Sequence, residues 1–184
     1  MSLTESNMLP LGTQAPSFSL LDTVSGETMN YQDIQGDSGT VVVFSCNHCP
    51  FVLHVNDELI ALANDYKSKG IKMVLISSND VENYPMDAPD KMSELAEELD
   101  YPFPYLYDPT QSVAKAYDAA CTPDIYLFDA NAKLYYRGRL DGSRPGNGVP
   151  LSGQDIRSAI DGLLSGEDAP SQQIPSAGCN IKWK

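Results

Sequence analysis

Positive charge is scarce in this chain: 12 Lys and Arg stand against 25 Asp and Glu among 184 residues, a formal net charge of −13 at pH 7. Such a surface repels phosphate backbones and anionic lipid headgroups, which excludes nucleic acid as a partner. Long apolar runs are lacking as well. The longest, such as Val41-Val42-Val43-Phe44 and Met73-Val74-Leu75-Ile76, fall far short of the ~18 residues that a membrane span requires. The segment Met1-Ser2-Leu3-Thr4-Glu5-Ser6 has no basic stretch followed by an apolar one, so no secretion signal is read, and Met1-Ser2-Leu3 is compatible with a cloning remnant. A cytoplasmic, thiol-reducing setting is the expectation. Cysteine is sparse, at four residues. A single domain of this size buries a core without covalent staples, so those four are available for chemistry.

Short β-rich runs alternate with helical periodicity, and no internal repeat or low-complexity tract interrupts them; this is the pattern of an α/β domain with helices packed on a sheet. Strands are predicted over Thr40 to Ser45, Ile71 to Ser77, Asp124 to Phe128 and Leu134 to Gly138. The last two, joined by Asp129-Ala130-Asn131-Ala132, should form an antiparallel hairpin. Val52, Val55, Leu59, Leu62 and Tyr66 recur every three or four residues before Lys67, Lys69 and Gly70, which predicts a helix with a basic last turn and a glycine stop. Further helices are expected around Met92, Leu95, Ala96 and Leu99, over Val113 to Tyr117, and around Ile156, Ile160, Leu163 and Leu164. The stretch Gly142-Ser143-Arg144-Pro145-Gly146-Asn147-Gly148 lacks the lysine and Ser/Thr of a phosphate loop and reads as a surface connection. The four arginines, Arg137, Arg139, Arg144 and Arg157, are expected to pair with the abundant carboxylates.

Chemistry concentrates at Cys46-Asn47-His48-Cys49-Pro50, where a strand hands over to a helix. Two sulfurs in a first helical turn meet unpaired N–H groups and the positive end of the helix dipole, which favour a thiolate. Three-residue spacing lets one sulfur resolve a mixed disulfide formed on the other. Cys46, preceding the turn, should be the exposed nucleophile, with Cys49 behind it. The competing readings are two inert thiols, which the helix N-terminus disfavours, and a structural zinc site. Zinc needs four ligands; His48, His54, Cys121 and Cys179 exist, but no second pair has ligand spacing, so neither a metal nor another cofactor is expected. An imidazole at His48 would favour the thiolate. It would thereby raise the potential above the roughly −270 mV of thioredoxin.

Three segments carry a resemblance to the thioredoxin superfamily, and within it to the redoxin branch that includes peroxiredoxins and the alkyl hydroperoxide reductase/thiol-specific antioxidant proteins. They are Gly12-Thr13-Gln14-Ala15-Pro16-Ser17-Phe18-Ser19-Leu20, the Cys46 to Pro50 motif, and Cys121-Thr122-Pro123-Asp124-Ile125-Tyr126-Leu127-Phe128-Asp129. The resemblance implies a thioredoxin-like fold, a central mixed sheet with helices on both faces, over residues 11–165. It leaves 1–10 as an N-terminal extension and 166–184 as a C-terminal tail packing on the domain. It implies that Pro123 is cis and that Thr122 offers an edge on which a substrate chain pairs; the residues alone would read a trans proline opening a strand.

The peroxiredoxin pattern Pro-x-x-x-Thr-x-x-Cys-Pro reads here as Val42, Cys46 and Cys49-Pro50, and the position resembling the peroxiredoxin arginine is Pro123. The peroxide-holding threonine is thus replaced by a second thiol. A thiol–disulfide oxidoreductase is therefore favoured, acting on a protein or small-molecule disulfide with a thiol electron donor. The alternatives are a hydroperoxide-reducing antioxidant and a non-catalytic, redox-sensitive binding module. Finally, the tail holds the only tryptophan, Trp183; burial of its indole should dock the tail and bring Cys179 to Cys121 as a second pair.

Overall fold

The computed structural model describes residues 3–184. In chain order the elements are β1 (Leu3–Glu5), β2 (Ser19–Asp22), β3 (Thr28–Asn30), α1 (Tyr31–Ile34), β4 (Gly39–Phe44), α2 (Pro50–Tyr66), β5 (Ile71–Ser77), α3 (Pro89–Glu98), β6 (Tyr105–Tyr107), α4 (Ser112–Ala116), β7 (Cys121–Thr122), β8 (Asp124–Asp129), β9 (Leu134–Arg137), α5 (Gln154–Leu164) and β10 (Ala177–Asn180). Seven strands form the main sheet in the order β3-β2-β6-β5-β4-β8-β9, and β1, β10 and β7 form a second, small sheet in the order β1-β10-β7.

At the centre, β4 runs parallel to β5 and antiparallel to β8. All six of its residues are buried, because a central strand covered by helices on both faces has no wet side. Side chains alternate between the faces. Val41 and Val43 point into a core shared with Leu59 and Leu62 of α2, Met92 of α3 and Ile156 of α5. Val42 and Phe44 point into the opposite core, with Tyr31 and Ile34 of α1 and Val113 of α4. The expected mixed sheet with helices on both faces is therefore present, and the four strands and the helices predicted from periodicity are found. The predicted hairpin is β8–β9, antiparallel with a register shift between Leu127 and Phe128.

Helix α2 positions the site. Pro50 occupies its first turn, where a missing N–H costs nothing and the fixed φ suits a helix. Val52, Val55, Leu59, Leu62 and Tyr66 are buried along one face. The chain leaves the helix through a short 3₁₀ turn and stops at Gly70, with φ of 81°. Two of the four arginines meet carboxylates: Arg139 with Asp155 at 2.6 Å, and Arg157 with Glu58 at 2.7 Å and Asp65 at 2.8 Å. The other two bond carbonyls, Arg137 that of Leu9 and Arg144 those of Asp141 and Ser143. Among the described residues, no helix is long and apolar enough to cross a membrane.

Both termini differ from expectation in how they are held. Of Met1-Ser2-Leu3, the first two residues lie outside the described part, while Leu3 opens β1 and faces Cys179 of β10. The tail does dock, yet its anchor is not the indole: Trp183 is 42% exposed, whereas Ile181 is 1% exposed. Backbone bonds hold it. Ile181 N–H donates to the Ala120 carbonyl, Lys182 N–H to Asn79 Oδ1, and the Lys182 carbonyl accepts from Asp80 N–H and Gln111 Nε2. Trp183 lies over the ammonium of Lys115 instead, 5.8 Å from its ring centroid, an arrangement an exposed indole can make without desolvation.

Candidate active site

The loop between β4 and α2 is tied to a neighbouring turn before it enters the helix. Asn47 N–H donates to Asp87 Oδ1 at 2.8 Å and Asn47 Nδ2 to the Met86 carbonyl at 2.8 Å, while the Tyr105 hydroxyl donates to Asn47 Oδ1 at 2.9 Å. Cys49 is the N-cap of α2, with no side-chain cap bond. Its carbonyl accepts from Val52 and Leu53 N–H. Only Cys49 therefore sits at the helix N-terminus. Cys46 lies three residues earlier, outside the helix, which corrects the placement of both sulfurs in the first turn.

Neither sulfur is open to solvent: Cys46 is 1% and Cys49 0% exposed. The expected exposed Cys46 is thus buried, because Thr122, the Asp87 turn and the tail strand close over it. Cys46, Cys49, Val52 and Cys179 form a small apolar cluster capped by Phe51. Opposite the dithiol stands the Thr122–Pro123 bond, which is cis. Cys46 Sγ is 3.6 Å from Thr122 Oγ1, and Cys49 Sγ donates to the Thr122 carbonyl at 3.3 Å.

Charge in this pair favours Cys49. A hydrogen bond from Cys46 does most to hold its thiol below the usual range, against the opposing effect of burial, and bonds from Cys179, Thr122 and the Val52 N–H add to it. Cys46 is pushed up by that same bond to Cys49, then by burial and by the Asp87 carboxylate. The Thr122 carbonyl is an acceptor only for a protonated Cys49 and so acts against that lowering. Of the two, Cys49 rather than Cys46 is thus the thiol held below its usual range.

His48 faces the Asp87 carboxylate: Nδ1 is 2.7 Å from Oδ2, close in distance but off the hydrogen-bond direction. Its ring stacks on Tyr84 at 5.6 Å and 9°. Asp87 is wholly buried and also accepts from Asn79 Nδ2 at 2.8 Å. Donor atoms of Cys46, His48 and Asp87 lie within 4.8 Å of one another, a set of types that could hold a metal ion. Both Asp87 oxygens are already engaged by protein donors, so the present geometry serves a charge network. Periodicity and motif reading missed Asp87 and Tyr84 altogether. Their partnership with the dithiol spans about 40 residues of sequence, and only the proline-bounded run Tyr84-Pro85-Met86-Asp87-Ala88-Pro89 marks a turn there.

The other two thiols part company. Strand β10 pairs with β7 so that Cys179 faces Thr122 and Asn180 faces Cys121. Adjacent residues of a strand point to opposite faces, so Cys121 and Cys179 cannot meet, and the expected Cys121–Cys179 pair is overturned. Cys121 bonds the carbonyls of Pro123 and Ser176, and burial pushes its thiol up. Cys179 Sγ instead lies 2.7 Å from Cys49 Sγ. The β7 edge at Thr122, expected to receive a substrate chain, is covered by the protein's own tail. His54, weighed as a zinc ligand, pairs with Ser143 Oγ at 2.7 Å.

Comparison with known proteins places this geometry. The model of the AhpC/TSA family matches residues 11–137. Among solved structures, an uncharacterized conserved protein from Geobacillus kaustophilus is 58% identical, with 100% of this chain and 97% of that chain covered and a TM-score of 0.98. A hypothetical protein from Sinorhizobium meliloti 1021 is 42% identical over 98% of each chain, with a TM-score of 0.95. The peroxidoxin BcpB from Mycobacterium tuberculosis, 17% identical, covers 84% of this chain and 96% of its own with a TM-score of 0.63, a likeness of fold. A search of curated proteins returned no match. The architecture is that of thioredoxin-fold redoxins.

Proposed function

The chain belongs to the AhpC/TSA family, whose fold serves thiol redox chemistry, and on that premise we propose that it is a thiol–disulfide oxidoreductase working through the Cys46/Cys49 dithiol. One observation carries this reading: Cys46 and Cys49 lie in one buried cluster facing the cis Thr122–Pro123 bond, with Cys46 Sγ 3.6 Å from Thr122 Oγ1 and Cys49 Sγ 3.3 Å from the Thr122 carbonyl. Cys46 thus supplies a second thiol at the position where the peroxiredoxin pattern has threonine. Among the described residues, no arginine hydrogen-bonds either sulfur. In the forward direction the Cys49 thiolate attacks one sulfur of a disulfide and expels the other as a thiolate. Cys46 then gives up its proton and attacks the Cys49 sulfur, releasing the second thiol and leaving a Cys46–Cys49 disulfide. A thiol donor reverses the sequence to restore the dithiol. His48 and Asp87 set the charge beside Cys46 and act as positioning residues, while Thr122 and Pro123 form the opposite wall.

A second reading, hydroperoxide reduction at Cys49, is supported by the lowered thiol of Cys49 in the place of the peroxidatic cysteine. Turnover separates the two. With dithiothreitol as reductant, consumption of a low-molecular-weight disulfide should exceed consumption of hydrogen peroxide at equal concentration, and Cys46→Ser should lower the disulfide rate. A faster peroxide rate that survives Cys46→Ser would replace the first reading with the second. The absence of any turnover would leave a redox-sensitive binding module.

A further inference from the structure

We propose that Cys179 is a third redox-active thiol of this site, forming an intramolecular disulfide with Cys49, so that Cys49 exchanges partners between Cys46 on its own loop and Cys179 on the tail strand. The inference rests on the dithiol reading and adds a residue to it.

The distance is the first support. Cys49 Sγ and Cys179 Sγ are 2.7 Å apart, and a bonded pair needs ~2.05 Å, so roughly 0.7 Å of approach separates contact from bond. Strand register is the second. Cys179 stands opposite Thr122, the residue whose carbonyl Cys49 also touches, which aims its side chain at the end of α2. The third is the close approach of the tail backbone. At Gly178 a Cβ would overlap the carbonyl group of Thr122, so glycine is what allows β10 to lie this near the dithiol.

The tail is also fixed on both sides of Cys179. Before it, Ser176 Oγ donates to the Pro123 carbonyl at 2.6 Å; after it, Ile181 is buried and Lys182 is bonded to Asn79 and Gln111. A side chain held this way reaches Cys49 without a search through conformations.

The electrons balance with a disulfide as oxidant. The Cys49 thiolate attacks RS–SR, the S–S bond breaks and RS⁻ leaves. Cys179 loses its proton and attacks the Cys49 sulfur of the mixed disulfide, expelling the second RS⁻. The net result is two RSH and one Cys49–Cys179 disulfide. Cys46 can then attack Cys49, returning Cys179 to the thiol and moving the bond to Cys46–Cys49.

Oxidation of the reduced full-length Cys46→Ser and Cys179→Ser variants with hydroxyethyl disulfide, followed by alkylation with N-ethylmaleimide and peptide mapping, tests this. Each variant keeps three of the four thiols. Cys46→Ser should lose two of them and yield a monomeric chain with a Cys49–Cys179 linked peptide. Retention of all three, or linkage only between chains, overturns the inference. If Cys179→Ser forms Cys46–Cys49 while Cys46→Ser forms nothing, this inference fails and the dithiol reading stands. The reverse pattern removes the dithiol reading and with it the exchange of partners proposed here. Should Cys46→Ser fail to fold by circular dichroism, substoichiometric oxidation of the wild-type chain decides: both linked peptides support the inference, and Cys46–Cys49 alone overturns it.

Discussion

His48 Nδ1 sits 2.7 Å from the wholly buried carboxylate of Asp87, which brings that carboxylate up to the loop carrying both cysteines. That carboxylate raises the Cys46 thiol. Replacing it by an isosteric amide should lower the Cys46 pKa and speed its alkylation at neutral pH. Alkylation of Asp87→Asn followed over pH with site assignment by mass spectrometry measures this; a profile identical to the wild type would show that Asp87 does not act on Cys46.

Removing the imidazole has the opposite consequence. In His48→Ala the ring expected to favour the thiolate is gone, the reduced state loses stabilisation, and the reduction potential should fall by tens of millivolts. For a two-electron couple ~30 mV corresponds to about 1.4 kcal/mol. A glutathione redox titration reads the value, and an unchanged or higher potential would rule out a tuning role for His48.

Gly178 supplies a stability prediction. Because a Cβ there would strike the Thr122 carbonyl oxygen, Gly178→Ala should destabilise the docked tail by roughly 1–3 kcal/mol, the range for overpacking a filled site. Denaturant unfolding should show the loss, and labelling of Cys179 should quicken. Wild-type stability with unchanged labelling would mean that the tail does not need so close an approach.

Asp124, next to the cis-proline, gives a pH dependence. Burial raises its carboxyl above the ordinary 3.8, against bonds from Ala120, Ser6, Cys121 and Tyr126 that lower it. A folded state with the higher pKa binds the proton more tightly than the unfolded chain. Its contribution to stability is full below the ordinary value and is lost as pH rises through the folded one. Asp124→Asn, whose amide oxygen can still accept from Ala120, should lack that fall. Parallel stability-against-pH curves for the two proteins would contradict the assignment.

Much of this architecture is legible in the chain because local rules govern it. The apolar spacing from Val52 to Tyr66 and the glycine at 70 mark α2, and the β-branched run Thr40-Val41-Val42-Val43 marks a strand buried on both faces. The dithiol at the strand–helix junction is legible for the same reason. What escapes is set by distant partners. β2, β3 and β6 are strands of three or four residues, too short to show a period, and exist through pairing. Cys46 reads as exposed because its cover comes from Thr122, Asp87 and the tail. The partner of Cys179 depends on register: with four cysteines composition allows three pairings, and the Cys179↔Thr122 match selects the face that Cys49 occupies.

The account turns on Cys49 as the sulfur through which every exchange passes. Its most direct test is a single-turnover oxidation of the reduced chain by a low-molecular-weight disulfide, quenched with acid at early times and mapped by mass spectrometry. The mixed disulfide should form on Cys49, and Cys49→Ser should slow oxidation by at least ~100-fold, equal to about 2.7 kcal/mol of lost transition-state stabilisation. Oxidation of Cys49→Ser at the wild-type rate, with the adduct on Cys46, would contradict it.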